Sequence, residues 1–235
     1  MPFAPEDSDD TAFVLQTYGL LGKKVPADGL LGFYQADKKA FTTFRESPPT
    51  EVACTPSVKN NSGVHPEVDA NIFGFLQETP FANLIDYGLI AGAQTADGWW
   101  RSFFYPGRYY GTYMSLRLLC KTGSLPESRR KGLSFLLGSR NPDGSWGSPG
   151  NIYETCLALN ALAACGARGE AFRSGIARLI AWQRPDGSWR DERAVIWEFT
   201  YRDKPIIWRA HDARGVVTTA LAVKALRSAQ DGGAQ

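Results

Sequence analysis

The sequence predicts an all-α protein built from stacked pairs of helices. Helical patterns of apolar residues recur over residues 9–22, 67–79, 81–93, 109–121, 127–139, 152–165, 169–183 and 214–229. From residue 67 onward the helices come in pairs, and a Gly-x-Trp phrase punctuates the pairs three times, at Gly98, Gly144 and Gly187. Spacings of 46 and 43 residues between these glycines are typical of a helical-repeat architecture.

The repeated phrase has a structural explanation. Its Asp-Gly step supplies a tight turn with one residue at positive φ. We expect the residue that begins each phrase (Gln94, Arg140 or Gln183) to bind the backbone of the turn. The tryptophan of each phrase should pack back on the preceding helix, so we assign three tryptophans to the fold and not to a site: Trp100, Trp146 and Trp189.

Residues 23–66 lack a periodic pattern and are punctuated by Pro, Asp-Gly and Asn-Asn-Ser-Gly. Within this region, residues 39–45 predict a short extended piece. A segment this long without clear structure is more often functional than accidental, for instance as a loop over a site.

Bulk composition predicts one globular domain over residues 1–235. Apolar residues make up 43% of the chain and charged residues 21%, which is enough to bury a core. The net charge of +2, with no Lys/Arg run beyond residues 129–131, gives no indication of a nucleic-acid partner. No apolar stretch reaches the roughly 18 residues of a membrane span, and the acidic start is unlike a signal peptide. A cytoplasmic protein is the default expectation.

The cysteines do not predict a metal centre. None forms a CxxC pair, and only His65 and His211 could assist, so a zinc site is not favoured. Cys120 and Cys156 lie in apolar helical patterns and are expected to be buried, reduced thiols. The full set is Cys54, Cys120, Cys156 and Cys165.

An acidic stretch at the start of the chain admits two interpretations. Residues 6–10 contain four carboxylates in five positions, directly before an apolar run that begins at Ala12. They could form a helix N-cap with carboxylates that favour the helix dipole. They could also form a site whose crowded carboxyl groups cannot all ionise. The 7 Trp, 9 Tyr and 13 Phe favour a pocket for something apolar or cationic.

Together these motifs resemble one family. The repeated phrase is similar to the Gln-x3-Gly-x-Trp repeat of the squalene–hopene cyclase and class II terpene cyclase superfamily, complete at Gln94 and Gln183 and altered at Arg140. Residues 7–12 match that family's DxDD-T-A motif. Residues 65–71 resemble its Pro-Ser-x-Ser-Ala-Asn segment, and residues 109–113 resemble its Tyr-Gly-Thr-Trp segment.

The resemblance implies an (α/α) barrel in which inner helices surround an apolar cavity. It covers the catalytic domain only, as in the single-domain cyclases that fold prenylated aromatic (meroterpenoid) substrates. About eight helices are predicted, fewer than the twelve of a closed barrel. One wall is therefore open, filled by a loop, or completed by a partner chain, and we expect a monomer or a homodimer.

The resemblance also implies roles for the acidic stretch. Asp9 matches the proton donor, and Asp7 and Asp10 would hold it and tune its pKa. Asn71 matches an asparagine that hydrogen-bonds the acid, although an ordinary polar residue near a helix start explains it equally well. His65 is a second candidate beside the acid, but its position does not align cleanly.

Carbocation intermediates need aromatic faces, each worth about 0.5–2 kcal/mol to a cation. Some of the following aromatics should line the pocket, and the rest should pack in the core: Tyr109, Tyr110, Tyr113, Tyr153, Trp197, Phe199, Tyr201 and Trp208. Glu154 stands where relatives have Gln, with His211 and Asp212 behind it in the sequence. A single Glu on an apolar helix suggests a base or a partner for a substrate group.

The substrate expected from this resemblance is a hydrophobic polyprenyl chain on an aromatic group, with no cofactor required. The alternative substrate is a prenyl diphosphate, for which Mg²⁺ would be a possible cofactor. The sequence has no DDxxD motif, so ionisation of a diphosphate by a class I mechanism is not supported. Several basic residues could bind a head group, although each alone is more typical of a solvated surface: Lys38, Lys39, Arg45, Arg101 and Arg108. A rival of another class is a non-catalytic helical-repeat module that binds a lipid or a protein. Peripheral contact with a membrane is compatible with either.

Overall fold

The computed structural model describes residues 6–45, 52–53, 63–148, 150–191, 195–201 and 207–231, with the backbone alone at 52–53, 195, 197–201, 207–208 and 231. The described chain is mainly helical, which confirms the predicted fold class. Among these residues, no helix has both the length and the apolar character that crossing a membrane requires. The helices are α1 (Ser8–Leu20), α2 (Pro66–Leu76), α3 (Tyr87–Gly92), α4 (Tyr109–Thr122), α5 (Pro126–Gly138), α6 (Ile152–Ala164), α7 (Glu170–Ala181) and α8 (Val216–Asp231).

Local capping sets the helix boundaries. Asp7 and Asn151 are the N-caps of α1 and α6, where their side chains accept bonds from backbone N–H groups. The helix predicted over 81–93 is wrong in one respect, because it divides into a 3-10 turn (Ala82–Leu84) and α3. Asp86 causes the division: its backbone is extended, and its side chain caps a new helix by accepting from the N–H of Gly88.

Five inner helices form a curved wall in the order α1, α2, α4, α6, α8, and all run in the same direction. At one end of the wall, the Gly147 N–H before α6 donates to the Tyr109 hydroxyl at the start of α4. At the opposite end, Lys121 of α4 donates to the Gly74 carbonyl of α2. The N-termini of the inner helices therefore meet at one end, which we call the N-terminal end of the wall.

Helices α5 and α7 lie outside this wall, and the Gly-x-Trp turns attach the pairs. The indole N–H of each tryptophan donates at 2.7 Å to a carbonyl ten residues earlier, on the helix before the turn. Each tryptophan is almost completely buried, so the predicted packing of these residues is confirmed. The bonds are Trp100 to Ile90, Trp146 to Leu136 and Trp189 to Leu179.

The residue that begins each phrase follows the prediction in two of three turns. Gln94 and Gln183 donate to the carbonyls of Gly98 and Gly187 within their turns. Arg140 departs and donates instead to Ser174 Oγ on α7, because a guanidinium reaches farther than an amide. Gly98 is required at its position: its φ is +94°, and a Cβ there would lie 2.5 Å from the Lys131 carbonyl oxygen.

One cysteine prediction is wrong. Cys120 of α4 forms a disulfide with Cys165, which directly follows α6, so it is not a reduced thiol. The two cysteines are 45 residues apart, about one repeat, and they therefore occupy equivalent ends of neighbouring inner helices. Cys156 is the free, buried cysteine among the described residues, as predicted.

Short strands complete the fold. β1 (Tyr34–Gln35) pairs antiparallel with β2 (Ala40–Phe41), which falls within the extended piece predicted at 39–45. β3 (Val52–Ala53), β4 (Val195–Tyr201) and β5 (Ile207–His211) form an antiparallel sheet in that order. The sequence prediction missed the β4–β5 hairpin. Its β-branched and aromatic residues at a period of two are typical of strands.

Candidate active site

The start of α1 is docked onto the chain that follows β2. Asp7 Oδ1 accepts from the N–H of Asp9 at 2.7 Å and from that of Asp10 at 3.3 Å. Ser8 Oγ donates to the Thr42 carbonyl at 2.8 Å. Burial raises the pKa of Asp7, and the two backbone donors oppose that effect. Asp7 is therefore a true N-cap, and the capping interpretation of the acidic stretch applies to this residue.

Asp9 has a different environment, because its side chain points into the protein. The residue is only 8% exposed, and Asn71 Nδ2 donates to its Oδ1 at 2.7 Å. Burial raises the pKa of Asp9 to about 7; the Asn71 bond lowers it, and the charges of Asp7 and Glu67 raise it further. Asp9 therefore keeps its proton at a higher pH than an exposed aspartate does.

Two further side chains fix the orientation of Asn71. Gln16 Nε2 donates to Asn71 Oδ1 at 2.9 Å, and Arg117 donates to Gln16 Oε1 at 2.6 Å and to Asn71 Oδ1 at 3.3 Å. Because donors occupy the amide oxygen of Asn71, its NH₂ group must face Asp9. The structure thus brings the predicted pair Asp9 and Asn71 together.

Asp10 lies apart from this arrangement. Its side chain is exposed at the first turn of α1, where a negative charge favours the helix dipole. Its charge makes the smallest of the contributions that raise the pKa of Asp9.

Two buried carboxyl groups on α2 were not assigned a role from the sequence. Glu67 Oε1 accepts from Ser102 Oγ at 2.9 Å and from the Phe103 N–H at 2.5 Å, and Asp69 Oδ1 accepts from the Phe41 N–H at 2.8 Å. Burial raises the pKa of both carboxyls. Glu67 could have been found from spacing, because it precedes Asn71 by four residues and so shares its helix face.

His65 does not bond to the acid. Its Nδ1 lies 2.6 Å from Thr43 Oγ1, and its ring stacks on Phe103 with centroids 4.0 Å apart. Burial lowers the pKa of His65 to about 4, so the ring is neutral at physiological pH. Within the described residues, no group of three or more Cys, His, Asp or Glu is arranged to hold a metal ion.

Two stacked tyrosines lie within the electrostatic influence of Asp9. Tyr105 and Tyr110 stack with ring centroids 3.5 Å apart and planes 17° from parallel. Burial, assisted by the charge of Asp9, raises the pKa of Tyr105 to about 12 and that of Tyr110 well above its usual value. Tyr153 is also buried, and Tyr105 contributes to its raised pKa. Tyr105 was missed from the sequence, although it ends an aromatic run, residues 103–105, just before α4.

Known structures share this fold. A protein from Actinoplanes has a TM-score of 0.75 and 23% identity over 97% of this chain and 76% of its own. A variant of the type II terpene cyclase MstE from Scytonema, in complex with geranylgeranyl dihydroxybenzoate, has a TM-score of 0.74 and 20% identity over 96% of this chain and 74% of its own. The ent-copalyl diphosphate synthase from Streptomyces platensis has a TM-score of 0.67 and 23% identity over 100% of this chain and 43% of its own.

This chain has the fold of the type II terpene cyclases. The resemblance inferred from the motifs is therefore confirmed for the fold. No protein-family model matches the chain, and no curated protein matches its sequence.

Within the cyclase fold, two of the candidate tyrosines have other contacts. The ring of Tyr109 packs on Phe135 of the outer helix α5, with centroids 5.8 Å apart. The hydroxyl of Tyr113 accepts from Lys224 Nζ at 2.7 Å, so α4 and α8 are bridged although α6 lies between them. This bridge crosses the concave side of the wall, which shows that both side chains point inward.

Glu154 and Asp212 hold the starts of two inner helices in the cyclase fold. Glu154 N–H donates to Asn151 Oδ1, and Asn151 Nδ2 donates back to Glu154 Oε2, both at 2.9 Å. Burial raises the pKa of Glu154, whose carboxyl also contacts Gly147. Asp212 caps α8 by accepting from the Thr218 N–H at 2.7 Å, while His211 is exposed.

The remaining candidates fall in or near the strands and loops. Four predicted pocket aromatics lie on β4 and β5, and their side chains are outside the described residues: Trp197, Phe199, Tyr201 and Trp208. Among the basic candidates, Arg45 pairs with Glu6 at 2.9 Å. The others are exposed: Lys38, Lys39, Arg101 and Arg108.

Proposed function

We propose that this protein is a class II terpene cyclase in which Asp9 protonates the terminal alkene, or an epoxide, of a linear polyprenyl chain. One observation carries the proposal: a buried carboxyl that keeps its proton near neutral pH and is held by an oriented amide donor. An exposed aspartate has a pKa near 3.9 and would be ionised and useless as an acid at pH 7. Burial supplies the neutral acid that the reaction needs.

The contacts of Asp9 define how the proton is held and released. Asn71 binds Oδ1, so the acidic proton resides on Oδ2. When Oδ2 gives up its proton, the carboxylate retains the Asn71 bond, which becomes charge-assisted and stronger. The interaction therefore stabilises the acid after transfer more than before it, which is the requirement for catalysis. Gln16 and Arg117 keep Asn71 in the donating orientation.

Protonation leaves a tertiary cation on the substrate, and the π electrons of the next alkene close the first ring. Each closure moves the positive charge along the chain until a proton is lost or water adds. The charge of Asp9 reaches the Tyr105–Tyr110 stack, whose aromatic faces would stabilise the first cations by about 0.5–2 kcal/mol each. Only a proton and π electrons move, so we propose that no cofactor is required.

For the substrate, we propose a polyprenyl chain on an aromatic acid. The MstE variant of similar fold was solved with geranylgeranyl dihydroxybenzoate, and this chain spans 74% of it. The alternative substrate, a prenyl diphosphate, is suggested by the ent-copalyl diphosphate synthase, of which the chain spans 43%. Mg²⁺ would accompany that alternative.

The test is conversion of geranylgeranyl dihydroxybenzoate and geranylgeranyl diphosphate by the purified chain. The expected product of the first has the mass of its substrate if a proton is lost, or that mass plus one water if water adds, and a different retention time in liquid chromatography–mass spectrometry. Asp9→Asn should abolish it, because an amide cannot donate the proton to an alkene. Asp37→Asn makes the same chemical change at an exposed site and should retain activity.

Three outcomes would change this assignment. Product from Asp9→Asn would remove Asp9 from the acid role. Turnover of the diphosphate alone would favour the alternative substrate. Binding of either compound without turnover by the wild-type chain would support the rival of another class, a non-catalytic lipid-binding module.

A further inference from the structure

A cavity of about 360 Å³ lies between α1, α2, α4 and α8, away from the acid. Its volume is at the lower end of the range for small-molecule sites, about 300–1,000 Å³. The lining combines apolar and cationic side chains, with no carboxylate among them. Its main apolar residues are Phe13, Leu20 and Leu118, and its cations are Arg117, Lys121 and Lys224.

Two of the three cations are bound only to neutral groups in the described part of the chain. Arg117 donates to Gln16 and Asn71, and Lys224 donates to the hydroxyl of Tyr113. Neither forms an ion pair with a described carboxylate, in contrast to Lys121, which pairs with Glu78 at 2.7 Å. The cavity therefore has positive charge without a described carboxylate partner at two positions, Arg117 and the solvent-exposed Lys224.

The same two cations also act on the buried hydroxyl of Tyr113. The residue is 5% exposed, and burial alone would raise its pKa. The charges and hydrogen bonds of Lys224 and Arg117 outweigh burial, and the pKa of Tyr113 falls below its usual value. A potential that favours an ionised phenol also favours another oxygen anion.

On three helices, the residues that line the cavity stand seven positions after residues at the level of the acid. Asp9 and Gln16 on α1 are seven residues apart, as are Glu67 and Gly74 on α2 and Tyr110 and Arg117 on α4. Seven residues span about 10 Å of α-helix. These backbone positions are thus two turns apart, while the side chains of Gln16 and Arg117 reach back from the cavity to Asn71, the partner of Asp9.

We propose that this cavity binds the anionic head group of the substrate, with Arg117 and Lys224 as its ligands and Phe13 and Leu20 against the adjoining apolar part. This inference rests on the proposed function and deepens it. The chemistry shared by the two candidate substrates is an oxygen anion, either an aromatic carboxylate or a diphosphate. Binding it here places the head group on helix positions two turns beyond Asp9, beside which the terminal alkene must lie.

The first test measures binding of small anions to the complete chain, without any cyclisation. The probes are 2,4-dihydroxybenzoate, inorganic diphosphate and the neutral control resorcinol, followed by isothermal titration calorimetry at low and high salt. We expect one anion to bind, more weakly in high salt, and to lose about tenfold or more in affinity in Arg117→Gln and in Lys224→Gln. Arg227→Gln, which removes an exposed charge from the same helix outside the cavity, should bind as wild type does.

The identity of the anion that binds distinguishes a carboxylate from a diphosphate substrate. The proposal is overturned if resorcinol binds as well as the anions, if no anion binds, or if both cavity variants bind normally. Lys224→Gln is the more specific of the two variants, because Lys224 bonds to Tyr113 and not to the Asn71 network that holds the acid.

The second test separates this proposal from the proposed function. For wild type, methyl esterification of geranylgeranyl dihydroxybenzoate should raise KM about tenfold or more, and in Lys224→Gln the ester and the acid should have similar KM. Equal KM values in wild type would overturn the head-group site while leaving the cyclase activity intact. Anion binding that depends on Lys224 in a chain without turnover would retain the site and overturn the cyclase.

Discussion

Replacing Asp9 with Asn should stabilise the protein at the same time as it removes the proposed activity. Burial moves the pKa of Asp9 from 3.8 to about 7, so the folded protein resists ionising this group. The difference between these two pKa values corresponds to a cost of roughly 4 kcal/mol when Asp9 is ionised in the folded protein. An asparagine at this position has the same shape as aspartate, can accept the hydrogen bond from Asn71, and carries no charge.

The sign of the effect depends on pH. Below about pH 4 Asp9 is protonated in both the folded and unfolded chains, and its burial costs little. As pH rises through 4 to 7 the unfolded chain ionises first, so wild type loses stability relative to Asp9→Asn. Above pH 7 the difference is complete, and it already includes the bond from Asn71, because that bond lowers the pKa of Asp9.

Thermal unfolding of wild type and Asp9→Asn between pH 4 and pH 8 measures this difference. We expect nearly equal Tm values at pH 4 and a Tm higher by roughly 5–15 °C for the variant at pH 8, from about 2–4 kcal/mol at 2–4 °C per kcal/mol. Asp37→Asn is the matched control and should follow wild type throughout. A Tm difference that is the same at both pH values would refute the claim that Asp9 is buried as an acid.

The remaining predictions concern the acid, its partner and the disulfide. Cyclisation by wild type should fall as pH rises through about 7, in step with the protonated fraction of Asp9, and a rate profile from pH 5 to 9 measures this. Asn71→Ala should lower kcat about 10–100-fold, because it removes a hydrogen bond to the developing carboxylate. The same change should move the fall in the profile to higher pH, because the Asn71 bond lowers the pKa of Asp9; an unmoved profile would contradict the contact. Cys165→Ala should cost about 4 kcal/mol, from a closed loop of 45 residues, and dithiothreitol should lower the Tm of wild type but not of the variant.

The helices and their connecting turns were largely predictable, because their signals are local. A period near 3.6, Asn or Asp caps and Asp-Gly turns all act within a few residues. The failure at residues 81–93 came from one residue, Asp86, whose capping bond competes with continuing the helix. The β4–β5 hairpin was missed because an (α/α) barrel was expected to place aromatics on helices.

The acid was predictable from its motif, but its environment was not. Burial of Asp9 depends on the loop around Thr42 and on Asn71, which is 62 residues away. Gln16 and Arg117 are joined across 101 residues, so no local pattern connects them. The disulfide could be predicted from the cysteine spacing, because a separation of 45 residues equals about one repeat and places two cysteines at the same end of neighbouring helices.

The shared direction of the inner helices gives the concave surface an electrostatic gradient. Each helix has a partial positive charge of about half a unit at its N-terminus and an equal negative charge at its C-terminus. Asp9 lies in the first turn of α1, whose positive end favours the carboxylate that remains after proton transfer and repels the cation just formed. In the proposed reaction, the field therefore drives positive charge away from its origin and toward the far end of the helices. Successive ring closures move the cation in that same direction, so charge separation and cyclisation proceed together.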